Sequence, residues 1–234
     1  QTKKKTGGNA MRPSFKIELK QPLSKRLVDV AQFEHNKTSL AAATTAGKVL
    51  IHTPHEQDPA DQIRLLNINR NISALATGRL SKAHDRDYLF VGAQTTLLAY
   101  DVRDNRDAFF KDTPDGVNAI VVGRLGERDE PLVYVGGNCS ILGYDARGEE
   151  AFWTVTGDNV SAMAFCDVEE DGQLELLVGS DDFEIRVFRD EEVLLETTET
   201  DRPTALAPLH HAVFGYALSN GTVGVYDKPG ARRW

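Results

Sequence analysis

The sequence predicts an all-β fold, a β-propeller with five countable four-stranded blades, and three observations carry the prediction. A small-residue signature recurs as Ser73-Ala74-Leu75, Asn118-Ala119-Ile120, Ser161-Ala162-Met163 and Thr204-Ala205-Leu206, its alanines 45, 43 and 43 residues apart. An aromatic residue, usually followed by aspartate, recurs as Tyr100-Asp101, Tyr144-Asp145, Phe188-Arg189 and Tyr226-Asp227, at spacings of 44, 44 and 38. Residues 159–196 then spell out one whole unit, with apolar runs at 160–165, 174–179, 184–188 and 193–196 parted by turn residues at 167–172 and 180–182. The run Leu174-Glu175-Leu176-Leu177-Val178-Gly179 is nearly continuous, as a strand covered on both faces must be. One four-stranded sheet cannot cover two apolar faces by itself. A period near 44 with four strands per copy is that of propeller blades rather than helical repeats.

Residues 1–11 are expected to be a disordered arm or an expression remnant, with Met11 as the natural start. Lys3-Lys4-Lys5 has no hydrophobic segment behind it and is no secretory signal. The propeller is expected over 12–234. Phe15-Lys16-Ile17-Glu18-Leu19 alternates strictly and reads as a strand with one buried face; lacking a local partner, it is expected to close the ring on the last blade. The first blade, about 27–70, has strands at 27–33, 40–44, 48–52 and 63–67, with Gly47 at a turn. The second, 71–115, has 72–77, 88–93, 96–100 and 108–111, and the third, 116–158, has 117–122, 132–137, 140–144 and 151–155. The fourth, 159–201, is the unit above. The fifth, 202–234, has 204–209, 214–218 and 222–226, with its last hairpin built on Asn220-Gly221, and stops where a fourth strand should start. The repeated alanine answers crowding where inner strands converge on the axis, and Gly136-Gly137 and Gly179 mark places where blades pack closely. The tyrosine-aspartate ending stands where WD40 blades carry tryptophan-aspartate; neither Trp153 nor Trp234 is followed by aspartate, so this is not a standard WD40 sequence.

With 41% hydrophobic and 26% charged residues, the 234-residue chain has the composition of a globular domain rather than a disordered one, and no apolar run could cross a bilayer as a helix. The net charge of −8 conceals an asymmetry: residues 1–37 carry nine Lys/Arg against three acids, while 167–201 hold fourteen acids against only Arg186 and Arg189. Such a surface repels nucleic acid and steers a basic partner. Asp190, Glu191 and Glu192 are the candidate partner-contact residues, with a solvated blade rim as the plain alternative. Cys139 and Cys166 read as two buried thiols in a reducing compartment. The Asn-x-Ser/Thr triplets at Asn36, Asn71, Asn138, Asn159 and Asn220 read as chance matches, because Asn71 and Asn159 lead straight into innermost strands.

Asp167-x-Glu169-x-Asp171-Gly172-x-x-Glu175 is the one constellation with metal-ligand spacing, since alternate acids, a turn glycine and a distal acid can wrap Ca²⁺ in oxygens. The glutamate at its third ligand position crowds the loop, and loops 79–87 and 124–130 lack the pattern, so no metal is assigned. His52-x-x-His55 and His210-His211 have no Cys or acid partner at zinc spacing. No Gly-x-Ser-x-Gly elbow, phosphate loop or dinucleotide fingerprint occurs, so no catalytic residue is nominated and no cofactor is expected.

At Phe152-Trp153-Thr154-Val155-Thr156-Gly157-Asp158-Asn159-Val160, and across residues 214–228, the chain closely resembles the family of Bardet–Biedl syndrome 2 subunits of the BBSome. Leu40-Ala41-Ala42-Ala43-Thr44 with Gly47-Lys48-Val49, and Leu176-Leu177-Val178-Gly179-Ser180, fit the same likeness, which covers about residues 14–234. The resemblance implies a non-enzymatic scaffold subunit of a coat-like complex that moves membrane proteins into and out of cilia. It implies protein contacts with other BBSome subunits, the Bardet–Biedl syndrome 7 and 9 proteins especially, at the cilium and basal body, with only peripheral membrane association through the complex. It also implies a seven-bladed propeller followed by coiled-coil and appendage domains, so that two blades lie beyond those counted. At 167–175 the chain departs from the family, whose loop is closer to Asp-x-Asp-x-Asp-Gly, and residues 1–10 match nothing in it. The alternative is a calcium-binding propeller of an enzyme or of an integrin-like adhesive module, distinguished by metal at 167–175. Five blades of a larger ring leave two apolar faces, so the chain is expected to self-associate, exchange strands with a second copy, or tighten into a smaller ring.

Overall fold

The computed structural model describes residues 18–19, 21–210, 212–227 and the backbone of 231–232. Its strands fall into five antiparallel sheets, each a meander in chain order. Blade 1 contains β1 (Leu23–Glu34), β2 (Lys37–Thr44), β3 (Lys48–His52) and β4 (Ile63–Asn67). Blade 2 contains β5 (Ala74–Gly78), β6 (Tyr88–Ala93), β7 (Thr96–Asp101) and β8 (Arg106–Asp112). Blade 3 contains β9 (Ala119–Gly123), β10 (Leu132–Gly136), β11 (Ser140–Tyr144) and β12 (Glu150–Val155). Blade 4 contains β13 (Val160–Cys166), β14 (Glu175–Ser180), β15 (Glu184–Arg189) and β16 (Glu192–Thr198). Blade 5 contains β17 (Pro203–Pro208), β18 (Phe214–Leu218), β19 (Val223–Asp227) and β20 (Ala231–Arg232). The blades stand in a ring about a channel lined by equivalent inner-strand residues such as Ser73, Asn118, Ser161 and Thr204.

The apolar runs become strands because sheet faces are buried between blades, both faces in blades 2 to 4 and one face in blades 1 and 5. Four clusters fill the spaces, led by Phe33 and Leu89 between blades 1 and 2, Phe90 and Val133 between 2 and 3, Tyr134 and Phe188 between 3 and 4, and Leu177 and Tyr216 between 4 and 5. Leu177 has no exposed surface, so its burial stabilises by about 1.5–3 kcal/mol. Close approach near the axis explains the small residues: a Cβ on Gly179 would lie 2.6 Å from Pro203, and one on Gly78 would lie 2.7 Å from Val122. The crowding is therefore between neighbouring blades. The inner strands are also clasped by hydroxyls, with Ser73 Oγ donating to the Val117 carbonyl (2.5 Å) and Ser161 Oγ to that of Pro203 (2.6 Å), each one blade on.

Packing is serial and does not run evenly round the ring. β1 packs on β5, β5 on β9, β9 on β13 and β13 on β17, while β1 and β17 scarcely touch. Near the axis that seam is bridged by Arg26, whose Nη1 donates to the Thr204 carbonyl at 3.0 Å. Arg26 has φ 66°, at an irregularity of β1 pairing between Leu23 and Val28. Away from the axis the two faces stay open. Val223 stands in β19 where Ile185 stands in β15, three residues before the recurring aromatic, yet Val223 is 75% exposed and Ile185 only 1%. On blade 1, Val28 and Val30 are also exposed.

Several expectations are corrected. The fifth blade does have a fourth strand, the short β20, paired through Tyr226↔Arg232 and Asp227↔Ala231. Its preceding hairpin turns through residues 219–221, with Gly221 N donating to the Leu218 carbonyl (3.2 Å) and Gly221 at φ 91°, which glycine adopts without strain. Cys166 is buried, but Cys139 sits exposed in the β10–β11 turn, so only one thiol is in the core. Phe15 to Ile17 lie outside the described residues, and Glu18 and Leu19 are in no strand.

Candidate functional site

The fourteen acids of 167–201 do not form one undifferentiated patch. Six of them are gathered, three each, around the two arginines of the same segment. Arg189, at the end of β15, donates from Nε to Glu175 (3.1 Å), from Nη1 to Glu169 (3.2 Å) and from Nη2 to Asp171 (3.0 Å) as well as to Glu175. Glu175 is wholly buried, and its other oxygen accepts the Val168 amide at 2.8 Å. Hydrogen bonding to Glu175 raises the Arg189 pKa above its ordinary value. Asp167 spends its oxygens on the Asp171 and Gly172 amides (3.1 and 2.9 Å). Of the calcium-type constellation, Glu169, Asp171 and Glu175 thus converge on a guanidinium, while Asp167 braces the turn. Among the described residues no three His, Cys, Asp or Glu side chains are arranged to hold a metal ion.

Arg186, 9% exposed within β15, organises the second group: Nε donates to Glu196 (2.6 Å), Nη2 to Asp182 (2.8 Å) and to Glu184, and Nη1 to Ser180 Oγ (2.9 Å). A related latch in blade 2 has its charges exchanged. There Asp101, 1% exposed at the end of β7, accepts from Arg86 of the β5–β6 loop at 2.7 Å. Burial would raise the Asp101 carboxyl, but Arg86 and the Asp104 amide outweigh it and hold the pKa below the usual carboxylate value. Arg86 had no signal of its own in the sequence, since its loop lacks any motif.

The three candidate contact residues separate. Asp190, itself exposed, leans toward blade 3, 3.9 Å from Arg128 and close over Gly126, where the β9–β10 loop docks on blade 4 through the Gly126 amide and the Leu174 carbonyl (2.9 Å). Glu191 and Glu192 remain exposed at the β15–β16 turn beside half-exposed Val193, with no ion pair to another described residue. His52 is buried, and that burial lowers its pKa; His55 shares its groove with Val30, Leu40 and Pro54, whereas His210 is exposed on the β17–β18 connection. The channel mouth is a cavity of about 340 Å³ lined by Asn118, Asn138, Asn159, Arg26 and Arg202, the last 3.6 Å from Asp181. The asparagines there are engaged with neighbouring groups, Asn118 donating to the Gly137 carbonyl (3.0 Å) and Asn159 to Asp158 (3.1 Å). What the geometry offers is a rigid, charge-patterned surface.

Comparison with known proteins gives the following. A family profile described as ciliary BBSome complex subunit 2, N-terminal, matches residues 29–123, and one described as the middle region of the same subunit matches 162–234. The chain is 49% identical to BBSome complex member BBS2 of Mus musculus, over 95% of this chain and 32% of that protein. It is 39% identical to BBSome complex member bbs-2 of Caenorhabditis elegans, over 80% of this chain and 25% of that protein. The chain thus spans about a third, or less, of the length of these curated relatives. Among solved structures, the crystal structure of BBS1N in complex with ARL6DN superposes with a TM-score of 0.70 at 17% identity, covering 89% of this chain and 66% of that one. A computationally designed protein, Ika4, superposes with a TM-score of 0.54 at 18% identity, covering 68% of this chain and 91% of its own. At these identities the structural likenesses speak for the fold alone.

Proposed function

Because this chain belongs to the family of BBSome complex subunit 2, matched by profile over more than two thirds of its length, we propose that it is a non-enzymatic scaffold that works by presenting rigid propeller surfaces to other BBSome subunits. The Bardet–Biedl syndrome 7 and 9 proteins are the proposed neighbours. The complex would carry membrane proteins into and out of cilia, acting at the cilium and basal body, and this subunit would meet the membrane only peripherally through the complex. The observation that carries the reading is the division of the acids of blade 4: six are locked on Arg186 and Arg189, where they stiffen the blade, while Glu191 and Glu192 are left facing solvent. In the full-length protein we further propose that two additional blades enter the seam between blades 5 and 1. The exposure of Val223 at a position buried in blade 4 supports this, as does the length of the relatives.

The test is reconstitution of the complex with full-length protein, followed by crosslinking mass spectrometry. Crosslinks from propeller lysines to other subunits are expected. A full-length protein that never co-purifies with them overturns the scaffold reading.

A further inference from the structure

We propose that the outer circumference of blades 2 to 4 is a docking strip for a segment of another subunit that is apolar over blades 2 and 3 and basic over blade 4. The proposal rests on the scaffold reading and specifies its partner surface. β8, β12 and β16 are the outermost strands of successive blades, and one position recurs in them at the blade period. Phe110 lies opposite Leu98, Trp153 opposite Leu142, and Glu196 opposite Arg186. In blades 2 and 3 this position exposes a large aromatic, Phe110 at 51% and Trp153 at 53%, and Val155 on the same face as Trp153 is 56% exposed. Single exposed apolar residues are ordinary; two bulky aromatics at one register of adjacent outermost strands make a repeated feature. Leu65, at the corresponding place in β4, lies on the open seam face of blade 1, so its exposure has another cause and it is left out.

In blade 4 the character changes. Glu196 takes the aromatic's place and is bound to Arg186, and the strand is entered through the exposed carboxylates of Glu191 and Glu192. Both arginines of the segment are enclosed by acids, so the field leaving this blade is negative. Aromatic side chains are the usual anchors of protein interfaces, and rim charges set orientation and encounter rate. The surface thus asks for apolar side chains against Phe110 and Trp153 and for Lys or Arg against Glu191 and Glu192, which fixes the direction in which the segment runs.

The experiment places a benzoylphenylalanine photocrosslinker at Trp153, Phe110 or Glu192 of the full-length protein in the reconstituted complex, and sequences the captured peptides. The expected result is one continuous segment of another subunit, caught through apolar residues at 153 and 110 and through a Lys/Arg-bearing stretch at 192. Capture of nothing, of a second copy of this chain, or of unrelated segments at the three positions overturns the strip. Trp153→Glu should weaken association about tenfold or more, with the melting curve unchanged and Trp153→Phe recovering most of the loss. An unaltered affinity for Trp153→Glu overturns the strip while leaving the scaffold reading intact. Failure of the wild-type full-length protein to enter the complex overturns both.

Discussion

Glu175, wholly buried at the start of β14, is held by Arg189 at the end of β15, and the pair repeats with opposite signs the Arg86–Asp101 latch of blade 2. Removing the arginine leaves a carboxylate in the interior with no compensating charge. Arg189→Ala is therefore expected to cost about 2–4 kcal/mol, somewhat under the full cost of breaking a buried pair because the Arg189 side chain is 27% exposed. Replacing both partners, Glu175→Leu with Arg189→Met, should recover most of that loss. Urea denaturation measures both. A cost below about 1 kcal/mol for Arg189→Ala would mean that Glu175 is stabilised without its arginine.

The same guanidinium bears on calcium. Glu169, Asp171 and Glu175 already surround a cation that is part of the chain. Melting curves recorded with calcium and with a chelator should coincide. Calcium at a hundred times its dissociation constant would add about 2.7 kcal/mol, a shift too large to miss. Such a shift, abolished by Asp171→Ala, would show that the loop binds the metal despite Arg189.

Charge reversal at the exposed turn should act on encounter and spare the fold. Glu191→Lys with Glu192→Lys is expected to slow association with the other BBSome subunits at low ionic strength, the difference shrinking as salt is raised. Both side chains are exposed, so the melting temperature should hold. Association rates unchanged at low salt would reduce the acidic turn to a solvated rim.

Tyr226 provides a pH signature. Burial, and then its hydroxyl's bond to Glu199, push its pKa up to about 12 from an ordinary value of 10.0. A raised acid pKa means that the unfolded chain ionises first. Stability from this group is present below pH 10 and is lost as pH rises toward 12. A tyrosine absorbance titration should show a late component, shared with the buried Tyr134, whose amplitude falls by one tyrosine in Tyr226→Phe. A late amplitude unchanged by Tyr226→Phe would contradict the buried pair.

The open faces of blades 1 and 5 predict association of the 234-residue chain with itself, through Val28 and Val30 on one side and Val223 on the other. Light scattering should register species larger than a monomer, diminished by Val223→Glu. A monodisperse monomer over the whole concentration range would mean that the seam is satisfied within one chain.

The periodicity was legible because each blade meets the same two demands. Ala74 and Ala162 are small where the innermost strands line the central channel, and Tyr100, Tyr144 and Phe188 close the third strand of each copy against a neighbour. Those constraints are local and recur, so one sequence suffices to see them. What stayed hidden depends on contacts between loops. Arg189 was visible as a departure from aspartate, but its partner Glu175 lies fourteen residues back and is joined to it only by β14 and β15 lying side by side. The acid count of blade 4 foretold a repelling surface, but not that six of those acids are tied to Arg186 and Arg189, two positive charges that leave the blade negative while holding the acids in place. Cys139 is exposed in the turn between β10 and β11, a property that spacing does not record.

Serial packing, with β1 and β17 scarcely in touch, also bears on how the molecule is made. Each blade is complete in about 44 consecutive residues and rests on the one synthesised just before it. A nascent chain can therefore add blades one at a time as it leaves the ribosome, with the Arg26 bond to Thr204 left to form last. The arrangement behaves as a one-dimensional array, in which an inner unit is held by two junctions and an end unit by one. Amide exchange should accordingly begin at the two ends and reach β10 and β11 last, so that a defect in blade 3 loosens both neighbours while one in blade 5 stays where it fell.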